Sequence, residues 1–271
     1  MDFFRILHTI LTTQLPSEKI ARFKTFYEAY KRGDVSFEEN YLPACFDHPS
    51  YSGFCKIVAP QAVPKRKNLA QKAGQVLLLH AIAHIEYSAI DLALDHAYRF
   101  TDMPKAYYDE WLEVADDEIR HFEMIEGLLK ELGSRYGEVE VHNALFEASQ
   151  RTHSLLERMA VVPRFLEANG LDATPEIATR LKRVPQSEMI DKILAALDVI
   201  VEEEVDHVLK GDRWFNYACE REGVDRSVYF DIIEKYYPES FPRQKGLNVT
   251  ARKEAGFSCG ELNKMSVNKV C

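Results

Sequence analysis

Apolar residues recur at three- and four-residue spacings through most of this chain, the period of an α-helix that buries one face. The longest periodic segments run from about 70 to 100, 104 to 132, 139 to 169 and 186 to 222. Each is about twice the 11 or 12 residues of an average globular helix. The breaks carry helix-stopping chemistry: Thr101-Asp102-Met103-Pro104 after the first segment, Gly133 and Gly137 after the second, and Gly170 after the third. Thr174-Pro175-Glu176 then opens a short helix toward Arg183, since proline is tolerated in a first turn. No segment alternates with period two, so almost no sheet is predicted.

Four long helices joined by short breaks predict an all-α fold built on a four-helix bundle. Upstream, Ile20, Phe23, Phe26, Tyr27 and Tyr30 mark a helical stretch between Phe3 and Arg32. From Gly33 to Asn68 the chain carries Pro43, Pro49, Gly53, Pro60 and Pro64, which reads as an extended connection. The expected organisation is an N-terminal helical and proline-rich segment over 1–69 packed on a bundle over 70–237. An irregular tail over 238–271 follows, helical only near 261–265.

Composition is that of an ordinary globular chain: 271 residues, 46% hydrophobic and 28% charged. The 43 acidic residues outnumber 34 basic ones, and the net charge of −9 disfavours nucleic acid as a partner. The runs Lys65-Arg66-Lys67 and Arg180, Lys182 and Arg183 are read as solvated surface rather than RNA-docking patches. Five cysteines without a Cys-x-x-Cys pair suggest neither a disulfide nor a zinc site. The N-terminus does not read as a secretory signal, and no stretch approaches the roughly 18 uncharged residues of a membrane span. The expectation is a reduced, soluble, cytoplasmic protein with no membrane partner.

The chemistry lies in acids and histidines placed within apolar stripes. Glu86 shares its helical face with Ile82, Ala83, Ala89 and Ile90. Burying one ionised carboxylate alone costs several kcal/mol, so something must compensate it. In the second long helix Glu118 and His121 stand one turn apart beside Val114, Ala115 and Phe122. In the fourth, Glu204 and His207 repeat that spacing beside Ile200, Val201 and Val208. A carboxylate and an imidazole one turn apart can bind one metal ion from a single helix, while an acid from each partner helix completes the pair of ions. Oxygen donors with two imidazoles suit iron or manganese better than thiolate-selected metals.

The third segment offers two acids for this role, Glu157 and Glu167. Glu86 and Glu118 are 32 positions apart, Glu167 and Glu204 37, and Glu157 and Glu204 47, so internal symmetry favours Glu167. Its closeness to Gly170, near the expected helix end, weighs the other way. Asp117 and Glu203, each preceding a ligand glutamate, are candidates to orient a ligand histidine. Tyr87, Tyr107 and Tyr108 are candidate hydrogen-bond or redox partners, though such tyrosines are more often packing groups. His84 lies about 200° around the helix from Glu86, which suits packing better than ligation. Trp111 and Trp214 read as core anchors.

The phrases Leu78-Leu79-His80-Ala81-Ile82-Ala83-His84-Ile85-Glu86, Ala115-Asp116-Asp117-Glu118-Ile119-Arg120-His121-Phe122, Val161-Val162-Pro163-Arg164-Phe165-Leu166-Glu167-Ala168-Asn169 and His207-Val208-Leu209-Lys210-Gly211-Asp212-Arg213-Trp214-Phe215 resemble the bacterial ferritin-like proteins known as the domain of unknown function 455 family. That family is in turn similar to tRNA-modifying di-iron hydroxylases, whose third-helix ligand lies in a Glu-Ala-Arg phrase. Glu167-Ala168-Asn169 matches it with Asn169 in place of the arginine, which supports Glu167 over Glu157. The resemblance implies a ferritin-like bundle holding two iron ions, with manganese an alternative occupant of either position. The ligands would be Glu86, Glu118, His121, Glu167, Glu204 and His207. The implied activity is O2-dependent oxidation of an unidentified small-molecule or RNA-borne substrate. An external electron donor would be needed, because no Gly-rich loop for flavin or nicotinamide is present. The alternative expectation is a metal-binding protein for iron handling or peroxide detoxification.

Overall fold

The periodic segments fold as helices, and the helices group into two compact units, Met1–Gln150 and Arg151–Cys271. The computed structural model describes residues 1–243 and 246–271. Among them the fold is all-α, with β-pairing limited to isolated bridges such as Ile57 with Val141.

The first unit holds α1 (Phe3–Thr12), α2 (Pro16–Lys31), α3 (Lys72–Arg99), α4 (Lys105–Glu131) and nearly all of α5 (Ala144–Arg151). The helical stretch expected between Phe3 and Arg32 is two helices. Asp2 caps the first by accepting from the Arg5 amide at 2.9 Å, and Pro16 starts the second at its first turn. The short link at 100–104 turns the chain back so that α4 packs along α3, while α1 packs on α3 and α2 on α4. Leu79, Ala83, Ile90 and Leu94 of α3 meet a core that also holds Trp111, Leu112, Ala115, Ile119 and Phe122 of α4, all 1% exposed or less. By length and composition α3 could cross a membrane, contrary to the sequence expectation. With 72% of its apolar window buried inside the protein, it is a core helix.

The helices and the segments that connect them are tied together at several points. His80 of α3 accepts from the amides of Gly137 (2.9 Å) and Val139 (3.2 Å) in the segment after α4. The Val58 amide donates to the Val141 carbonyl at 2.8 Å, and the Val141 amide donates to the Lys56 carbonyl at 3.0 Å. Lys19 of α2 is fully buried, and its amine pairs with Asp91 of α3.

The second unit holds α6 (Leu155–Val161), a π-helical turn (Val162–Glu167), α7 (Ala168–Leu181), α8 (Glu188–Glu222), α9 (Val228–Tyr236), α10 (Val249–Glu254) and α11 (Cys259–Met265). Sequence periodicity misplaces the breaks here. Gly170 does not end the third helix, and Pro175 does not open a new one: both lie inside α7. Proline removes the amide that would bond the carbonyl four residues back. The Leu171 carbonyl instead accepts from Asn248 Nδ2 at 3.1 Å, so the helix continues. Pro163 leaves the same defect, and the chain there is wound as the π turn. The tail forms α10 and α11, the latter started by a reciprocal Ser258–Glu261 capping box.

Arg164 of the π turn is fully buried. Its guanidinium reaches Asp212 of α8 at 2.8 Å and Glu261 of α11 at 2.7 Å. Phe215, Tyr229 and Phe257 surround it with ring centroids at 4.6, 4.4 and 4.7 Å. The charge is thus paired and stacked, as a buried cation must be. Cys259 and Cys271 are joined as a disulfide, which corrects the expectation that all five cysteines are reduced.

Candidate metal centre

In the first unit the helical period delivers Glu86 of α3 and Glu118 and His121 of α4 to one place. Glu86 is 4% exposed, Glu118 1% and His121 0%. His121 Nδ1 lies 3.3 Å from Glu86 Oε2 and 3.6 Å from Glu118 Oε2. One donor atom from each falls within 4.8 Å of the others, so the group can hold a metal ion. Two carboxylates and one imidazole form a hard oxygen and nitrogen donor set, the type taken by iron and manganese.

Electrostatics in this pocket follow from burial. Desolvation disfavours an imidazolium at His121, but the hydrogen bonds and charges of Glu118 and Glu86 outweigh it and push the group up to about 11. Without a cation from outside, the protein therefore keeps a proton on His121 to offset part of the carboxylate charge. A bound metal ion would compete for the imidazole and displace that proton.

In the second unit His207 is 1% exposed on α8, with Nδ1 3.7 Å from Glu204 Oε1 one turn away. The Glu-x-x-His spacing thus places its acid and imidazole together in both units. Glu167 ends the π turn, and one of its carboxylate oxygens is shielded from solvent. A single π turn within an α-helix is a frequent mark of a functional position. Glu157 is engaged elsewhere: its carboxylate meets Lys235 at 2.6 Å.

The other residues singled out by sequence are placed as follows. Asp117 pairs with Arg120 on its own helix. Glu203 lies partly exposed on α8. The Tyr107 hydroxyl donates to the His96 carbonyl at 3.1 Å, and Tyr108 donates to the carbonyls of Phe100 and Thr101. Tyr87 is buried among Phe54, Phe122 and Tyr136. Trp111 and Trp214 are core residues. Lys65, Arg66, Lys67, Arg180, Lys182 and Arg183 are exposed. Two residues that sequence reasoning left unused are Tyr136 and His142, whose hydroxyl and carbonyl oxygens meet the two ring nitrogens of His84. Only their distance in sequence from the ligand helices hid them.

The family whose description reads protein of unknown function (DUF455) matches residues 12–263. The chain belongs to this family. It is 35% identical over 275 residues to an uncharacterised protein of Haemophilus influenzae, covering 97% of this chain and 93% of that one. No solved structure matches it.

Proposed function

We propose that this DUF455 protein is a ferritin-like, non-haem di-iron carboxylate protein that acts as an O2-activating, hydroxylase-like oxidoreductase. The observation that carries the reading is the buried Glu86–Glu118–His121 group, whose Glu-x-x-His phrase recurs as Glu204–His207 on α8. Glu118 with His121 would hold one ion and Glu204 with His207 the other, with Glu86 and Glu167 completing their coordination. Four carboxylates and two neutral imidazoles carry the charge that two divalent cations balance. This is the compensation that buried acids require. Manganese in either position satisfies the same donors.

Bound ferrous ions would supply the one-electron steps with O2 that no side chain can. The protein's own part is to present the acids and imidazoles to the ions and to exclude bulk water, and the burial of Glu86, Glu118 and His121 fits that task. It fits less well with iron handling, which needs ions to pass in and out. The electrons would come from an external donor, and the substrate is a small or RNA-borne molecule.

Elemental analysis of protein from iron-supplemented cells tests the reading. The expected content is about two irons per chain, as in other carboxylate-bridged bundles, and it falls in both Glu118→Ala and His207→Ala. A parent protein that takes up no iron or manganese, even on anaerobic loading, would sink it.

A further inference from the structure

Tyr136 lies outside the ligand helices, in the segment after α4, and is 7% exposed. Its hydroxyl is 2.9 Å from Nδ1 of His84. The other ring nitrogen fixes the tautomer: Nε2 stands 2.6 Å from the His142 carbonyl oxygen, which can only accept. Nε2 therefore carries the ring hydrogen, and Nδ1 accepts from the tyrosine. A ring that carries its hydrogen on Nε2 keeps the Nδ1 lone pair available to accept. The Cys55 thiol also lies against this hydroxyl.

The ring of Tyr136 is 5.3 Å from that of Tyr87 and 5.4 Å from that of Phe122, centroid to centroid. Tyr87 directly follows Glu86, and Phe122 directly follows His121. Aromatic contacts thus run from the residues beside two metal-site ligands to a phenol that is hydrogen-bonded to a neutral base.

We propose that Tyr136 is a redox-active tyrosine that exchanges single electrons with the metal centre served by Glu86, Glu118 and His121, its phenolic proton passing to His84 Nδ1. A phenol that loses an electron while keeping its proton becomes a strongly acidic cation, so oxidation is far easier when a positioned base takes the proton in the same step. The O–H bond of Tyr136 breaks, an N–H bond forms at His84 Nδ1, and one electron leaves to an oxidised metal ion, which is reduced by one unit. The neutral tyrosyl radical and the His84 imidazolium remain, the latter still donating to the His142 carbonyl. The identity of the oxidant rests on the di-iron reading above; the tyrosine and its base do not.

The test separates the two. Metal-free full-length protein is oxidised with tris(bipyridyl)ruthenium(III), generated by illuminating the ruthenium(II) complex with persulfate as electron acceptor, and the product is followed by electron paramagnetic resonance, with ring-deuterated tyrosine to assign the signal. The parent gives a persistent tyrosyl radical that is lost in Tyr136→Phe and in His84→Gln, with circular dichroism confirming that both variants fold. A persistent radical that survives Tyr136→Phe overturns the proposal. Iron-loaded protein exposed to O2 and frozen gives the same signal, again absent in Tyr136→Phe. No such radical in protein shown by elemental analysis to hold iron overturns the exchange with the metal centre. A chain that binds no iron overturns the di-iron reading, and the ruthenium experiment still decides the role of Tyr136.

Discussion

Gly211 of α8 faces Pro163 of the π-helical turn so closely that a Cβ on the glycine would lie 2.3 Å from the proline Cβ. In an open helix Gly→Ala stabilises by about 1 kcal/mol. Here the added methyl must push apart the turn that ends in Glu167, and overpacking of this kind costs about 1–3 kcal/mol. Gly211→Ala therefore melts below the parent, despite its better helix propensity. Melting at or above the parent temperature would contradict the close approach.

That contact shows where the sequence could be read and where it could not. The boundaries of α3, α4 and α8 follow from hydrophobic period, because each helix buries one long face and ends at unambiguous signals such as Pro104 or Gly223, whose φ is +67°. Glu118 with His121 and Glu204 with His207 were legible for the same reason, since helical spacing alone brings each pair together. The third segment was not. Pro163 is absorbed by a π turn, and Pro175 by a side-chain bond from Asn248, which is remote in sequence. The meeting of Tyr136 with His84 and the joining of Cys259 to Cys271 likewise depend on tertiary placement that no local pattern encodes.

Lys19 and Asp91 form a buried pair of unequal exposure. The lysine side chain is fully buried, the aspartate is 17% exposed, and Asp91 Oδ2 also accepts from Ser50 Oγ at 2.6 Å. Removing one partner of a buried pair typically costs about 3–5 kcal/mol. Asp91→Asn leaves an amine with no route to water, and burial already pulls that group below its ordinary range. Lys19→Met leaves a carboxylate that still reaches solvent and Ser50. Urea denaturation is expected to show the larger loss for Asp91→Asn. The reverse order would mean that the lysine is not the more desolvated partner.

Acid should weaken the two units in different pH windows. Burial pushes His80 down to about 4, which leaves its ring neutral to accept from the Gly137 and Val139 amides. A folded value below the unfolded one means that this stability is complete above about 6.5 and is lost as pH falls toward 4. Glu261 behaves likewise at lower pH. Burial raises it, but Arg164, the Ser258 amide and Arg226 more than offset this and bring it to about 2. Its contribution is full above about 4.5 and disappears as pH falls toward 2. Each shift corresponds to roughly 3 kcal/mol at most. Hydrogen exchange between pH 7 and 3 is therefore expected to lose protection around residues 137–139 before it loses protection in α11. His80→Asn should flatten the first loss and Glu261→Gln the second; loss in the opposite order would refute the assignment.

The C-terminus is held by two devices that can be separated. The Asn263 side chain accepts from the amides of Val270 and Cys271 at 2.9 and 3.1 Å, and the disulfide ties Cys271 to Cys259, 12 positions earlier. Closing a loop of that length removes unfolded-chain entropy worth about 3 kcal/mol. The oxidised protein should show three titratable thiols in denaturant, from Cys45, Cys55 and Cys219, and five after reduction. Cys259→Ser is expected to lower stability by up to that amount and to expose residues 266–271 to carboxypeptidase. Because Glu261 lies between Cys259 and Asn263 in α11, its bonds to Arg164 and Arg226 keep that helix docked, so digestion should stop near Met265. Digestion that runs on through α11 in the variant would show that the disulfide, and not the Arg164–Glu261 pair, secures the helix.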